Sequence, residues 1–165
     1  MLWVTAERLQ VDRLASAWLV RRFVDADAEF SFVPRGTEAA AVTDGTPFHL
    51  SGAELAQRAG RSTFEAILVQ HALADDPVLA RMGVIVRATD RLHAAVAFRG
   101  MTAQEELPAD GPPEAPGLQA ILHGVILVSV DDLAALLLSE KVMNALYAAL
   151  VAQNTSSSSP PKSVL

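Results

Sequence analysis

Apolar residues at Leu14, Ala15, Trp18, Leu19 and Phe23 recur at helical spacing behind Asp12, an acid standing where an N-cap belongs. A helix is therefore expected over about Arg13 to Val24, closed by Arg21 and Arg22, whose charges suit the negative end of a helix. Trp3-Val4-Thr5 is a short apolar start compatible with a strand. Glu29 to Val33 alternates with period two and stops at Pro34, the pattern of a half-buried strand. Phe48-His49-Leu50 is read as a third short strand. Ser62-Thr63-Phe64-Glu65 has the form of a capping box, so a helix should follow to His71. Asp76-Pro77 is a second start signal, leading through Leu79, Met82 and Val86 to His93, with Gly83 as a local weak point.

From Gly100 to Gly117 four prolines and several acids replace the apolar pattern, and a long loop is expected. Leu118, Ile121, Leu122 and Val125 then fit a helix, while the β-branched run Val125 to Val130 fits a strand, and periodicity alone leaves both open. Asp131-Asp132 introduces a last helix carrying Leu133, Leu136, Leu137, Met143, Leu146, Tyr147 and Leu150. Residues 154–165 hold four consecutive serines and Pro160-Pro161 and read as a disordered tail behind one domain, 1–153. The predicted fold class is α+β, predominantly helical, with a small sheet near the amino terminus.

The 165 residues are 51% hydrophobic and 19% charged, with mean hydropathy +0.28, enough for one core and too apolar for disorder throughout. Thirteen basic against nineteen acidic residues give a formal charge of −6 and a pI near 5.1, which argues against binding nucleic acid through its phosphates. Without cysteine there are no disulfides, thiolate ligands or cysteine nucleophiles. Lys141 and Lys162 are the two lysines, and the second lies in the tail, so lysine Schiff-base chemistry is not expected. Met1 to Gln10 lacks a signal-peptide pattern. Gly117 to Ser139 is broken by Gln119, His123, Ser129, Asp131 and Asp132, so neither a membrane span nor a membrane partner is expected, and the protein is read as cytoplasmic.

The segment Val11 to Asp25 resembles the opening of the chromate-resistance (ChrB-type) domain family. The resemblance continues through Phe32-Val33-Pro34, Pro47-Phe48, Gly52-Ala53-Glu54-Leu55, Ser62-Thr63-Phe64-Glu65, Ile85-Val86, Glu114 to Leu122 and Ala145-Leu146-Tyr147-Ala148. In larger members this domain follows a portion linked to chromate-responsive regulation. Family members typically carry two adjacent histidines and then a cysteine before the Phe-Glu pair, where this chain has Gln57, Arg58 and Ser62. They also place a histidine and an aspartate after the Ile-Val pair, where this chain has Arg87 and Ala88, followed by Asp90. Carboxylates beside Arg58, Arg61 and Arg87 make a poor transition-metal site, so no metal and no cofactor is expected.

His49, His71, His93 and His123 are widely separated and show no i, i+4 pair of the kind that binds metal on a helix. Glu65 is explained by its capping box. Its place among the family's presumed ligand positions also makes it, with Asp90, a candidate general acid or base. Asp12 reads as structural. Eleven arginines supply guanidinium forks suited to carboxylate or phosphate groups, and Arg13, Arg22, Arg61 and Arg87 are candidate substrate contacts. Trp18 fits the core, and an indole beside arginines can also wall a pocket for a flat ligand. A glycine-rich phosphate loop, a Ser-His-Asp pattern in a recognisable context and a dinucleotide fingerprint are missing.

Two functions are expected from these residues. One is a metal-independent, cofactor-free enzyme acting on an anionic or aromatic small molecule by carboxylate acid/base catalysis: a lyase, an isomerase, or an amine–carbonyl condensation with ring closure of the Pictet–Spengler type. The other is a chromate or oxyanion stress-response module that grips the anion with arginines. Assembly as a homo-oligomer is compatible with either.

Overall fold

Trp3, Val4, Thr5 and Ala6 are all buried, so β1 (Leu2–Ala6) has both faces covered, as the central strand of a parallel sheet requires. The computed structural model describes residues 1–102 and 111–157. β2 (Glu29–Val33) and β3 (Thr46–Pro47) flank β1 in the order β2-β1-β3, and both run parallel to it. Phe48 was expected inside the third strand; it lies just past β3 and forms an isolated bridge with Leu55. Gly45 leads into β3 at φ +94°, where a Cβ would stand 2.8 Å from the Leu2 carbonyl oxygen, so glycine is required there.

The crossover from β1 to β2 is α1 (Val11–Leu19), continued by a π-helical turn, Val20–Val24. Nearly every residue of α1 is buried, because helices cover it on several sides. These are α2 (Thr63–Gln70), α3 (Pro77–Arg99), α4 (Ala115–Val128) and α5 (Asp132–Ser157). The Trp18 indole stacks on Phe64 of α2 with centroids 6.4 Å apart, and Trp3 meets Phe48 edge to face beneath the sheet. The molecule is α+β and predominantly helical, with its small sheet near the amino terminus.

Both start signals hold. Ser62 and Glu65 form the reciprocal capping box of α2, and the Asp76 carboxylate accepts from the Val78 and Leu79 amides at the start of α3. Asp131 caps α5 through the Ala134 amide, while the Asp132 carboxylate instead receives the Arg8 and Leu9 amides, tying α5 to the loop after β1. Gly83 lets α2 and α3 approach closely, for a Cβ there would lie 3.0 Å from Glu65 Cγ.

Four expectations are corrected. The N-cap of α1 is Gln10, and Asp12 lies in the first turn with its side chain turned toward another helix. α3 runs past His93 to Arg99 and ends at Gly100 in the left-handed conformation. The ambiguous segment is helical over α4, because Leu118, Leu122 and Val125 align on one face and bury. The expected loop therefore gives way to helix at Ala115, and its residues 103–110 lie outside the described ones. At the other end α5 includes Asn154 to Ser157, which were expected in the tail, and 158–165 lie outside the described residues. By length and composition α5 is apolar enough to cross a membrane, yet it packs against α1 and α4 with Leu136, Met143 and Leu150 buried.

Candidate functional site

β1 sends the chain through α1 to β2 on one side, while β3 lies on its other side. In parallel sheets such a reversal opens a crevice at the carboxyl ends of the strands. Here that end is occupied by Asp12 from α1 and His49, two residues past β3.

Asp12 is fully buried. Its Oδ2 accepts from the Thr63 amide at 2.8 Å and Gln57 Nε2 at 3.0 Å, and its Oδ1 accepts from the Phe64 amide at 3.1 Å and Ser16 Oγ at 3.4 Å. His49 Nδ1 lies 3.3 Å from Oδ2 and 2.7 Å from Thr63 Oγ1, held by a backbone at φ +51°. Asp12 is thus the acid at the positive end of α2, supplied from a different helix. The Ser62 amide donates to Glu65 Oε2 and the Glu65 amide to Ser62 Oγ, so the first-turn amides of α2 are satisfied from within the protein. This helix end has no donors left for an outside anion.

Asp90 on α3 accepts from the Asp12 amide at 3.2 Å and from Gln57 Nε2 at 3.1 Å. One carboxamide nitrogen therefore bridges two carboxylates. Their acidities diverge. Burial works to raise the Asp12 carboxyl, but His49, the Thr63 amide and Gln57 together outweigh it and hold the group below the usual carboxylate range. For Asp90, burial and then the Asp12 charge push the carboxyl up, and its hydrogen bonds only partly offset them. Asp12 is the fixed anion of the pair, and Asp90 is the member poised to take a proton.

Asp90 lines a cavity of about 270 Å³. One wall is the Arg58-Ala59-Gly60-Arg61 hairpin, closed by reciprocal backbone bonds between the two arginines, with Ala59 and Gly60 both at positive φ as a type I′ turn demands. The other wall is α3, with Arg87 and Arg91 beside Asp90. Arg58 donates to the Ala53 carbonyl oxygen, and Arg87 pairs with Glu65 Oε1 at 2.9 Å. The Arg61 side chain takes no partner among the described residues.

Of the residues expected at a site, Asp90, Arg61 and Arg87 meet at this cavity. Glu65 stands behind it, with Oε2 taken by Ser62 and Oε1 by Arg87. Arg13 is half-buried beside the carboxylate pair, outside the cavity lining, with Nε and Nη1 sealed from solvent and without a hydrogen-bond partner among the described residues. Burial and then Arg35 work against its charge, and Asp90, Asp12 and Asp132 support it. Trp18 and Arg22 are carried elsewhere: both donate to Asn144 Oδ1 of α5 at 2.9 Å, and Arg22 lies over the Tyr147 ring. Asp12, His49 and Gln57 were not expected as site residues. His49 was expected inside the third strand, and nothing local to it marked it for the site.

The positions where the resemblance implies metal ligands do converge. Gln57, Arg58, Ser62 and Arg87 line the cavity together with Asp90, while Ala88 is outside its lining. The side chains present do not suit a metal ion, since guanidinium groups and the Gln57 amide nitrogen offer donors rather than lone pairs. Among the described residues no group of three or more His, Cys, Asp or Glu could hold one.

A family model described as the C-terminal domain of ChrB matches residues 3–150. "Protein ChrB" of Cupriavidus metallidurans (strain CH34) is 32% identical over 122 residues, covering 74% of this chain and 32% of that protein. The chain therefore spans about a third of the length of this relative. No solved structure matches.

Proposed function

Because the chain belongs to the ChrB C-terminal domain family, we propose that it uses the family scaffold as a metal-independent cytoplasmic enzyme for an anionic small molecule. The arginines hold the anion, and Asp90 moves a proton on it. The observation that carries this reading is Asp90 itself: a carboxyl raised by burial and by Asp12, opening on a cavity walled by Arg58, Arg61, Arg87 and Arg91. A carboxyl held above its ordinary value is the stronger base when ionised, and it can return the proton it takes. Charge-assisted guanidinium contacts would fix the substrate beside it. Asp12 keeps the pair asymmetric, and Gln57 holds the two carboxylates in register. Eliminations, isomerisations and amine–carbonyl condensations with ring closure all need only this positioning and proton transfer. Glu65 supports the site by orienting Arg87.

A second reading is favoured by the excess of guanidinium groups alone: the cavity holds chromate or a similar oxyanion without turnover. Calorimetric titration with sulfate, chromate and benzoate, followed by a turnover screen on Asp90→Asn and Arg61→Ala, separates the two. The enzyme reading expects Asp90→Asn to bind the anion at least as tightly as the wild type and to lose turnover, with Arg61→Ala weakening binding about tenfold, the effect of one charge-assisted contact. Full turnover in Asp90→Asn refutes the enzyme reading. Absence of anion heat at millimolar concentration refutes both.

A further inference from the structure

A second cavity, about 540 Å³, opens at the opposite, amino end of the sheet and shares no lining residue with the arginine cavity. Its volume falls within the range of small-molecule sites. Trp3, Val24, Pro47 and Leu55 form an apolar wall, and the carboxylates of Asp25 and Glu54 stand at its edge. Among the described residues no lysine or arginine lines it, and the cation present is the Met1 ammonium. We propose that this cavity is a separate binding site for a small protonated amine with an apolar body.

Three features define the chemistry. The Met1 ammonium already sits 2.7 Å from Asp25 Oδ2, and the same oxygen accepts from Trp3 Nε1 at 3.1 Å. The Asp25 carboxylate thus holds an ammonium and an indole N–H on one oxygen. Glu54 is exposed and takes no hydrogen bond or ion pair among the described residues, so a second carboxylate is available to a ligand. Gln70 and His71 bring the carboxyl end of α2 to the rim, where the helix dipole favours positive charge. A carboxylate ligand would meet like charge from Glu54 and from the helix end, the Asp25 charge being already paired with Met1.

The test uses two probes of one shape and opposite charge, phenethylamine and 3-phenylpropionate, titrated into the full chain by calorimetry and by amide chemical-shift mapping. Saturable phenethylamine binding with shifts at Glu54, Leu55 and His71 is expected, with 3-phenylpropionate at least tenfold weaker at this end. Glu54→Gln, a change at an exposed position, should weaken the amine about tenfold. Gln70→Trp, which fills the rim from an exposed position, should abolish its binding. Sulfate binding at the arginine cavity should be unchanged in both variants. Equal binding of the two probes, shifts confined to other surfaces, an unaltered affinity in Glu54→Gln, or no saturation at millimolar amine would each overturn the proposal.

Discussion

Asp12→Asn preserves side-chain volume and removes one acceptor oxygen and a charge from a fully buried position. Oδ2 serves the Thr63 amide and Gln57 and lies beside His49, while Oδ1 serves the Phe64 amide and Ser16. An asparagine oriented for Thr63 presents its NH2 to the Phe64 amide, donor against donor, and the flipped orientation abandons Thr63. One unpaired buried N–H costs about 1–3 kcal/mol, and the surviving bonds lose their charge-assisted strength. The expected total is about 3 kcal/mol, a large part of the roughly 5–15 kcal/mol typical of a domain. At ~2–4 °C per kcal/mol for a chain of this size, the melting temperature should fall by about 6–12 °C at pH 7.

The pH dependence supplies a second reading of the same experiment. Asp12 is more acidic folded than unfolded, so its contribution is complete above the unfolded value of 3.8 and disappears as pH falls through the lower folded value. Asp12→Asn should lack that acid limb. Asp90 has the opposite sign: its folded carboxyl is the weaker acid, so ionised Asp90 costs stability at pH 7, and acidification toward 3.8 relieves that cost. Asp90→Asn, which keeps an acceptor for the Asp12 amide, gives up the exposed Gln57 bond and removes the repulsion, should cost at most about 1 kcal/mol at pH 7. Thermal unfolding followed by circular dichroism, with urea midpoints at pH 7 and at pH values below 3.8, measures both variants. An Asp12→Asn protein melting within about 2 °C of wild type, or equal losses in the two variants, would refute the reasoning.

Glu65→Gln retains a side chain able to complete the capping box and loses the Arg87 pair, so it should cost under about 1 kcal/mol while any Asp90-dependent turnover persists; complete loss of turnover with the fold intact would assign Glu65 a direct chemical part. Gly83→Ala gains helix propensity and forces a Cβ within 3.0 Å of Glu65 Cγ, and overpacking should prevail by about 1 kcal/mol, read as a lower urea midpoint. His93 is held below its ordinary value by burial and then by the His123 charge, so the fold prefers it neutral. Stability should be complete above 6.5 and fall as pH drops below that value toward the folded one, a limb that His93→Phe should remove from a melting-temperature profile between pH 7 and 5.

The parts of the fold readable in the sequence are those fixed by neighbours. The Ser62/Glu65 box and the Asp76-Pro77 start act across three residues or fewer, and β2 announces itself by alternation. Asp12 was misread because its amide partners, Thr63 and Phe64, lie 51 and 52 residues away, beyond any local rule. Helical geometry explains the divided candidate list. Asp12 and Ser16 share one face of α1, whereas Trp18, six positions on, is rotated by about 240° and meets α5, and Arg22 follows it one turn later. Arg61, Arg87 and Asp90 line one cavity because the hairpin and α3 lie side by side, and of the three Arg87 and Asp90 fall where the family resemblance had pointed. The amine cavity was invisible, since Trp3, Asp25, Leu55 and His71 come from four separate stretches of chain.

The anchoring of α2 by an acid on α1 also bears on how the molecule opens. Hydrogen exchange at the Thr63 and Phe64 amides requires separation of two helices and exposure of a buried carboxylate, so α2 should be unable to fray from its amino end by itself. Those two amides should exchange only in the rare events that unfold the whole domain, making them reporters of global stability placed directly behind the arginine cavity.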